Sequence, residues 1–175
     1  EIDFGGAKLD FSNVSTSVST VLFSFEGSYT ATSAALTSSL GINEQTVACD
    51  TTGFASGDMV RIYSSTIWDS TRTSTKIGEL NFVDAVASPT SLTIVCPAES
   101  NYTTAATATI QKLTPVKNVH LKNGTIIAPA ANDLVQGILI RVGLNCSIEN
   151  MSTFDCDVYH IRLTDCILST VSNCY

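Results

Sequence analysis

Five polar side chains near the end of the sequence have the chemical types needed for acid–base work on a glycosidic bond. They are Asp155, Asp157, His160, Arg162 and Asp165. Two carboxyl groups about 5 to 9.5 Å apart can act as the acid and as the base or nucleophile of such a cleavage, and Arg162 could hold a saccharide beside them. The alternative is structural, because turns favour Asp and outward strand positions accept most polar residues. The sequence leaves both interpretations open.

A second group of candidates lies in the middle of the chain. Tyr63 and Trp68 border a loop rich in Ser and Thr, and their aromatic faces could stack on the apolar faces of sugar rings. Packing over a local core is the alternative. Asp58, Arg61 and Glu79 form a candidate charged trio, which a turn aspartate and a structural ion pair explain as well. The sequence has no CxxC pair and no Asp-rich calcium loop, so we expect no metal site and no cofactor.

An internal repeat indicates the elements that would position these side chains. Residues 137–141 (GILIR) align with residues 160–164 (HIRLT) at an offset of 23, and residues 118–123 align with residues 145–150 at an offset of 27. A repeat of 23 to 27 residues, inside which apolar and polar side chains alternate with period two, is typical of a solenoid coil built from three short strands. Asn123, Asn150 and Asn173 fall at one predicted turn. We expect them to form a ladder of stacked amides, because Asn tolerates left-handed backbone and can donate to the next coil.

The alternation also assigns side chains to the two faces of each strand. The predicted inward residues are Val119, Leu121, Cys146, Ile148, Ile161, Leu163 and Val171. The predicted outward residues are His120, Lys122, Ser147, Glu149, Thr170 and Ser172. Strands are predicted at 138–142, 146–149 and 152–155, and Lys122 should neighbour Glu149 on the adjacent coil.

The rest of the chain divides into two further regions. Residues 1–27 show alternating strands and a Gly-Gly turn, and we interpret them as entering coils of the solenoid that residues 114–175 continue. Residues 28–113 lack the repeat and contain five or six short strands, which favours a small antiparallel barrel or sandwich, with one short helix at 31–39. The predicted fold class is all-β, a right-handed parallel β-helix interrupted by a small antiparallel β insertion.

Composition limits the classes of partner. The 175 residues carry a net charge of −7 with only nine Lys and Arg, which disfavours nucleic acid because its binding requires concentrated positive charge. No apolar run approaches the roughly 18 residues that span a bilayer, so we expect no membrane insertion. The six cysteines occur in a chain long enough to form a core, and we interpret them as free buried thiols, with disulfides as the alternative. Sugar-like ligands remain open.

Five segments, in order along the chain, carry a resemblance to a known family. They are FGGAKLDFSN with VLFSFEG (residues 4–13 and 21–27), DTTGFASGDMVRIYS (50–64), KIGELNFV (76–83) and KLTPVKNVHLKNGTI (112–126). The chain resembles the head of phage tailspikes of the pectate-lyase-like right-handed β-helix superfamily. The resemblance implies a homotrimeric adhesin of the virion tail, assembled in the host cytoplasm and acting outside the cell. It also implies binding, and often cleavage, of a bacterial surface polysaccharide such as capsule or lipopolysaccharide.

The resemblance further implies a longer polypeptide, with more coils after residue 175 and with catalytic residues outside this segment. Two alternatives stay open. One is a polysaccharide hydrolase or lyase whose active residues, such as Asp155, Asp157 and Asp165, lie within these coils. The other is a non-viral extracellular β-helix adhesin or cell-wall-modifying protein.

Overall fold

The structure, a computed structural model, describes residues 1–14, 20–72, 74–129 and 135–175. A short 3₁₀ helix spans Thr104–Ala106. The strands, numbered in chain order, are β1 (Ile2–Asp3), β2 (Lys8–Asp10), β3 (Thr20–Glu26), β4 (Ser28–Ala35), β5 (Thr46–Ala48), β6 (Met59–Ile67), β7 (Lys76–Ser88), β8 (Ser91–Ile94), β9 (Thr109–Thr114), β10 (Val116–Lys117), β11 (His120–Ile127), β12 (Val135–Arg141), β13 (Gly143–Leu144), β14 (Ser147–Phe154), β15 (Tyr159–Thr164) and β16 (Thr170–Ser172). The predicted fold class is confirmed. In the described ranges, no helix is long and apolar enough to cross a bilayer.

The chain forms two compact units, residues 1–28 with 115–175 and residues 29–114. In the first, the coil unit, strands of successive coils pair in parallel. One sheet contains β1, β2, β11, β14 and β16, a second contains β3, β12 and β15, and a third pairs β10 with β13. Ile138 lies opposite Ile161 and Leu121 lies opposite Ile148, so the offsets of 23 and 27 residues are confirmed.

Aliphatic side chains stacked on one another form the core of the coil unit. Its fully or nearly fully buried members are Leu121, Ile126, Ile138, Ile140, Cys146, Ile148 and Met151. Phe4 and Phe11 each form a T-shaped ring pair with Phe23, with centroids 6.0 and 6.3 Å apart. The predicted inward residues Ile161 and Leu163 are partly buried against this core.

The asparagine column lies at a bend within a strand. Asn123 and Asn150 have φ angles of 59° and 51°, yet β11 and β14 pair on both sides of them. The predicted break between strands at 146–149 and 152–155 is therefore wrong, because one left-handed residue bends a strand without ending its pairing. The third strand of the coil is the short β13 instead.

Four corners of the coil unit share one local structure that the sequence analysis did not identify. Each has an Asn or Asp with positive φ followed by a Cys whose thiol donates to the carbonyl oxygen two residues before it. The sulfur–oxygen distances range from 3.2 Å at Cys174 to 3.8 Å at Cys156. The pairs are Asn145-Cys146, Asp155-Cys156, Asp165-Cys166 and Asn173-Cys174. These small side chains fit corners where a left-handed residue turns the chain.

The second unit, the barrel unit, is antiparallel. Its strand order is β4-β9-β6-β7-β8-β5, and an antiparallel bridge between Leu36 and Cys49, just after β4 and β5, joins the two ends of this sheet into a barrel. Its core includes Tyr102, Ile62 and Leu92, which are all fully buried. The predicted helix at 31–39 is wrong. Most of that segment belongs to β4, whose alternating exposure and β-branched Thr residues suit a strand on the barrel wall.

Candidate functional site

The outward face of the β11–β14 pair in the coil unit carries polar side chains in register. His120 lies opposite Ser147 and Lys122 lies opposite Glu149, while the alternating Leu121 and Ile148 are buried. The imidazole Nδ1 of His120 is 3.0 Å from the Ser147 hydroxyl. Period-two alternation therefore placed these four residues on the outside, as predicted.

A cleft of about 240 Å³ opens on this face. It is lined by Glu1, His120, Leu121, Lys122, Ser147 and Glu149. The Lys122 ammonium pairs with Glu1 at 2.7 Å and with Asp3 at 3.6 Å rather than with Glu149. The hydrogen bond to Glu1 raises the pKa of Lys122 and lowers that of Glu1. The Glu149 carboxylate takes part in no ion pair of the described chain, so the cleft offers hydroxyl, imidazole, ammonium and carboxylate groups side by side.

The asparagine column borders the same sheet. The Asn150 amide donates to Asn123 Oδ1 at 3.2 Å, and the Asn123 amide donates to Asp3 Oδ1 at 3.1 Å. The Gly5 amide and then Asn123 lower the pKa of Asp3. Asn173 has the same left-handed backbone, with φ of 50°. A parallel bond joins Asn145 to Asn118 at 2.8 Å, so two columns of amides follow the coils.

The five candidate residues for acid–base chemistry near the end of the sequence lie in turns and on one strand. Asp155 and Asp165, with φ of 60° and 53°, occupy the left-handed position of the Asx-Cys corner that Asn145 and Asn173 occupy elsewhere. Asp157 is exposed and has no ion pair in the described ranges. The two corner aspartates therefore have a structural explanation, and their catalytic role stays a prediction.

His160 and Arg162 lie on β15, where each is held by a neighbour. Nδ1 of His160 is 2.8 Å from the Thr153 carbonyl oxygen and 2.9 Å from its hydroxyl. Arg162 Nε donates to Thr164 Oγ1 at 3.2 Å, and its guanidinium lies 4.9 Å from the centre of the Tyr159 ring. Carbohydrate binding by Arg162 stays a prediction.

The aromatic candidates of the barrel unit lie apart on β6 and its end. The Trp68 ring, just after β6, is 69% exposed, which excludes packing over the core. Tyr63 contacts the guanidinium of Arg61 at 4.5 Å. No signal in the sequence pointed to Tyr29, whose ring centre lies 4.3 Å from the Arg61 guanidinium, because no short-range pattern links residues so far apart.

The charged trio of the barrel unit is not assembled. Asp58 pairs with Lys112 at 2.7 Å, whereas Glu79 accepts a hydrogen bond from the buried Tyr102 hydroxyl at 3.0 Å. Burial, followed by the charge of Glu79, raises the pKa of Tyr102. The members of the candidate trio have separate partners, and the alternative of a turn aspartate in a structural ion pair describes Asp58, which also accepts a hydrogen bond from the Ala55 amide. Glu79 also lines a cleft of about 260 Å³ with Asn81, Cys96 and Glu99.

The cysteines and the metal-ligating residues show no assembled centre in the described chain. All six cysteines are free thiols, of which Cys96 is exposed and the others are buried or partly buried. Burial raises the pKa of Cys156 and Cys166. No group of three His, Cys, Asp or Glu residues in the described ranges is arranged to hold a metal ion.

No protein-family model and no curated protein matches this sequence. Solved structures that are similar to it include the following three. The tailspike protein gp49 from Pseudomonas phage LKA1 has a TM-score of 0.69 at 22% identity, over 89% of this chain and 30% of its own. The Pseudomonas phage phi297 tailspike gp61 has a TM-score of 0.67 at 19% identity, over 84% and 24%.

The third is the Gp54 tailspike of Acinetobacter baumannii bacteriophage AP22, solved in complex with A. baumannii capsular saccharide. Its TM-score is 0.62 at 17% identity, over 97% of this chain and 39% of its own. The chain thus spans between about a quarter and two fifths of the tailspikes it matches. Its fold is a phage tailspike fold.

Proposed function

We propose that this chain is a segment of a phage tailspike, carried on the virion tail, that recognises a bacterial surface polysaccharide. The observation that supports this most is the likeness to three phage tailspikes, one of which was solved with capsular saccharide. The polar cleft on the outward face of β11 and β14 supplies a saccharide-sized surface with donors and acceptors in register. Such a surface suits sugars, whose hydroxyl groups need both kinds of partner.

The proposal includes three features of the resembling family. The chain belongs to a longer polypeptide of the pectate-lyase-like superfamily, it acts as a homotrimer, and it is assembled in the host cytoplasm. The six free thiols support cytoplasmic assembly, because that compartment keeps cysteines reduced. Thiol titration of the purified protein under denaturing conditions and light scattering for its mass would test these features.

The central experiment measures binding of the full-length protein that contains this chain to capsular and lipopolysaccharide preparations, including those of Pseudomonas and Acinetobacter strains. Lys122→Gln should weaken binding about tenfold, because it removes the cation of the cleft. Lys117→Gln is the matched control, since Lys117 lies on β10 in another sheet and should leave binding unchanged. The proposal fails if no preparation binds, and the cleft assignment fails if both variants bind like the parent.

Depolymerisation is tested separately on any polysaccharide that binds. A reducing-end assay reports hydrolysis, and absorbance of unsaturated products reports a lyase. Asp155→Asn, Asp157→Asn and Asp165→Asn should leave the rate unchanged if these residues only form turns. A loss above about a hundredfold at one of them, with binding retained, would instead assign it acid–base work.

A further inference from the structure

One cation of the barrel unit is held in an unusual setting. Arg61 lies on the outward face of β6, between the buried residues Val60 and Ile62. Its guanidinium carbon is 4.3 Å from the ring centre of Tyr29 and 4.5 Å from that of Tyr63. Cation–π contact with two rings fixes the plane and position of the guanidinium.

A chain of hydrogen bonds fixes its orientation as well. Arg61 Nε donates to Gln111 Oε1 at 2.8 Å, on the neighbouring strand β9. The Gln111 amide in turn donates to the Thr30 carbonyl oxygen at 2.8 Å. The guanidinium is therefore anchored through Nε to strand backbone rather than to a mobile loop.

The two terminal nitrogens of Arg61 have no polar partner in the described chain. They make no hydrogen bond, and no carboxylate lies within ion-pair distance of them in residues 1–14, 20–72, 74–129 and 135–175. Arg141 differs, because its Nη1 is 3.0 Å from Glu26. A guanidinium that is oriented in advance and has free terminal N–H groups can bind a carboxylate through two parallel hydrogen bonds at little entropic cost.

We propose that Arg61, Tyr29 and Tyr63 form a second saccharide site, which binds the carboxylate of an acidic sugar while an aromatic ring supports the sugar ring. The proposal rests on the proposed function, since it takes the ligand to be a bacterial polysaccharide and names its chemical class. The net charge of −7 argues against a dense polyanion such as nucleic acid as the ligand. A polysaccharide in which only some sugars carry a carboxylate suits a site with one guanidinium group beside two aromatic rings.

The test compares each acidic ligand with its carboxyl-reduced form. The full-length protein is titrated with the polysaccharide that it binds and with arrays of galacturonate, glucuronate and sialic acid oligosaccharides. The acidic forms should bind about tenfold or more tightly than the reduced forms. Arg61→Gln should remove that preference, and Arg61→Lys should retain only part of it because Lys is a point charge. Tyr63→Leu should weaken the reduced ligands because it removes a ring that supports the sugar, and it should lower part of the acid preference because the same ring holds the guanidinium.

Arg141→Gln is the matched control, because it removes a cation that already has a carboxylate partner. Melting temperatures of all variants show whether each is folded, and the comparison of acidic with reduced ligands on the parent protein needs no variant. Equal binding of both forms, or an unchanged preference in folded Arg61→Gln, would overturn the inference while leaving polysaccharide recognition intact. If no polysaccharide binds at all, the proposed function itself fails.

Discussion

The coil unit and the barrel unit of this chain use different devices to fix strand register. Nine residues other than Gly have left-handed backbone in the described part of the coil unit, and they fall at recurring places in the coils, including the two asparagine columns and the Asx-Cys corners. Among the described residues of the barrel unit there are two, Asn43 and Thr107. In the coil unit, equivalent residues contact each other along the stack. In the barrel unit, different residues meet around one shared core.

This difference predicts different responses to damage. Each coil contacts only its neighbours, so its stability is close to a sum of local terms. The barrel closes on itself through the Leu36–Cys49 bridge, and its strands surround one cluster of buried residues. A defect in the coils should therefore stay local, whereas a defect in the barrel should affect every strand.

The largest effect on stability is expected when one buried Ile in each unit is replaced with Ala. Ile148 of the coil unit and Ile62 of the barrel unit are both fully buried, and replacing either with Ala should destabilise its unit by about 3 kcal/mol. Hydrogen exchange should show faster exchange only in the strands beside β14 for Ile148→Ala. For Ile62→Ala, the increase should extend over all six barrel strands. Equal spreading in both variants would contradict the comparison.

A somewhat smaller effect is expected from adding one methyl group inside a sheet. A Cβ on Gly137 would collide with the His160 backbone oxygen and lie 3.1 Å from the Cys156 sulfur. On Gly78 of the barrel unit, it would meet Ile62 and Tyr63 atoms at an ordinary 3.4 Å. Gly137→Ala should cost about 2 to 3 kcal/mol, and Gly78→Ala less than about 0.5 kcal/mol. Urea unfolding followed by circular dichroism measures both, and a costly Gly78→Ala would show that close backbone approach is not special to the coils.

The sequence predicted the coil unit better than the barrel unit for a physical reason. Stacked coils place like residues on like residues, so the pairing of Ile138 with Ile161 could be found from an offset alone. The sequence predicted five or six short strands for the barrel, which forms a six-stranded sheet, but it did not predict which strands pair. The pairing of Arg61 with Gln111 on β9 joins residues fifty positions apart. The short helix at 31–39 was wrong because the small residues of that segment do not reveal strand pairing without knowledge of the partner.

The candidate sites were only partly predictable. Alternation placed His120, Lys122, Ser147 and Glu149 on one face, but the ion pairs of Lys122 with Glu1 and Asp3 required the three-dimensional fold. The Asx-Cys corners do have a signal in the sequence. Four Asn-Cys or Asp-Cys dipeptides recur at spacings of ten, ten and eight residues, from Cys146 to Cys174.

A moderate effect is expected when the asparagine column is interrupted. Asn123 and Asn43 both have left-handed backbone. The Asn123 side chain is hydrogen-bonded to Asp3 and Asn150, whereas the Asn43 side chain has no hydrogen bond to any described residue. Gly adopts the same left-handed backbone without strain, so each variant tests the side chain alone. Asn123→Gly should lower the free energy of unfolding by about 1 kcal/mol because two exposed hydrogen bonds are lost, and Asn43→Gly should lower it by only a few tenths of a kcal/mol. Thermal unfolding of both variants gives the comparison. Equal losses would mean that stacking of amides along the coils contributes no stability.

The smallest effect on stability is expected from lowering the pH, and it should also differ between the two units. The pKa of Asp3 is lowered most by the Gly5 amide of its own turn and then by Asn123 and Lys122 of the next coil, whereas that of Asp69 in the barrel unit is lowered by Thr71 of its own turn alone. A carboxyl whose pKa is lower in the folded state stabilises the fold above its unfolded pKa of about 3.9, and this contribution is lost as pH falls through the folded value. Hydrogen bonds within a turn can persist in the unfolded chain, so they contribute less to the pKa difference between the folded and unfolded states.

Asp3→Asn keeps an oxygen acceptor but does not titrate. It should therefore reduce the fall in melting temperature between about pH 5 and pH 3, whereas Asp69→Asn should leave that fall unchanged. Both carboxyl groups are exposed, so solvent screening should keep the effect below that of Asn123→Gly. A larger change in Asp69→Asn than in Asp3→Asn would contradict the view that contacts between coils, rather than turns, carry the acid sensitivity.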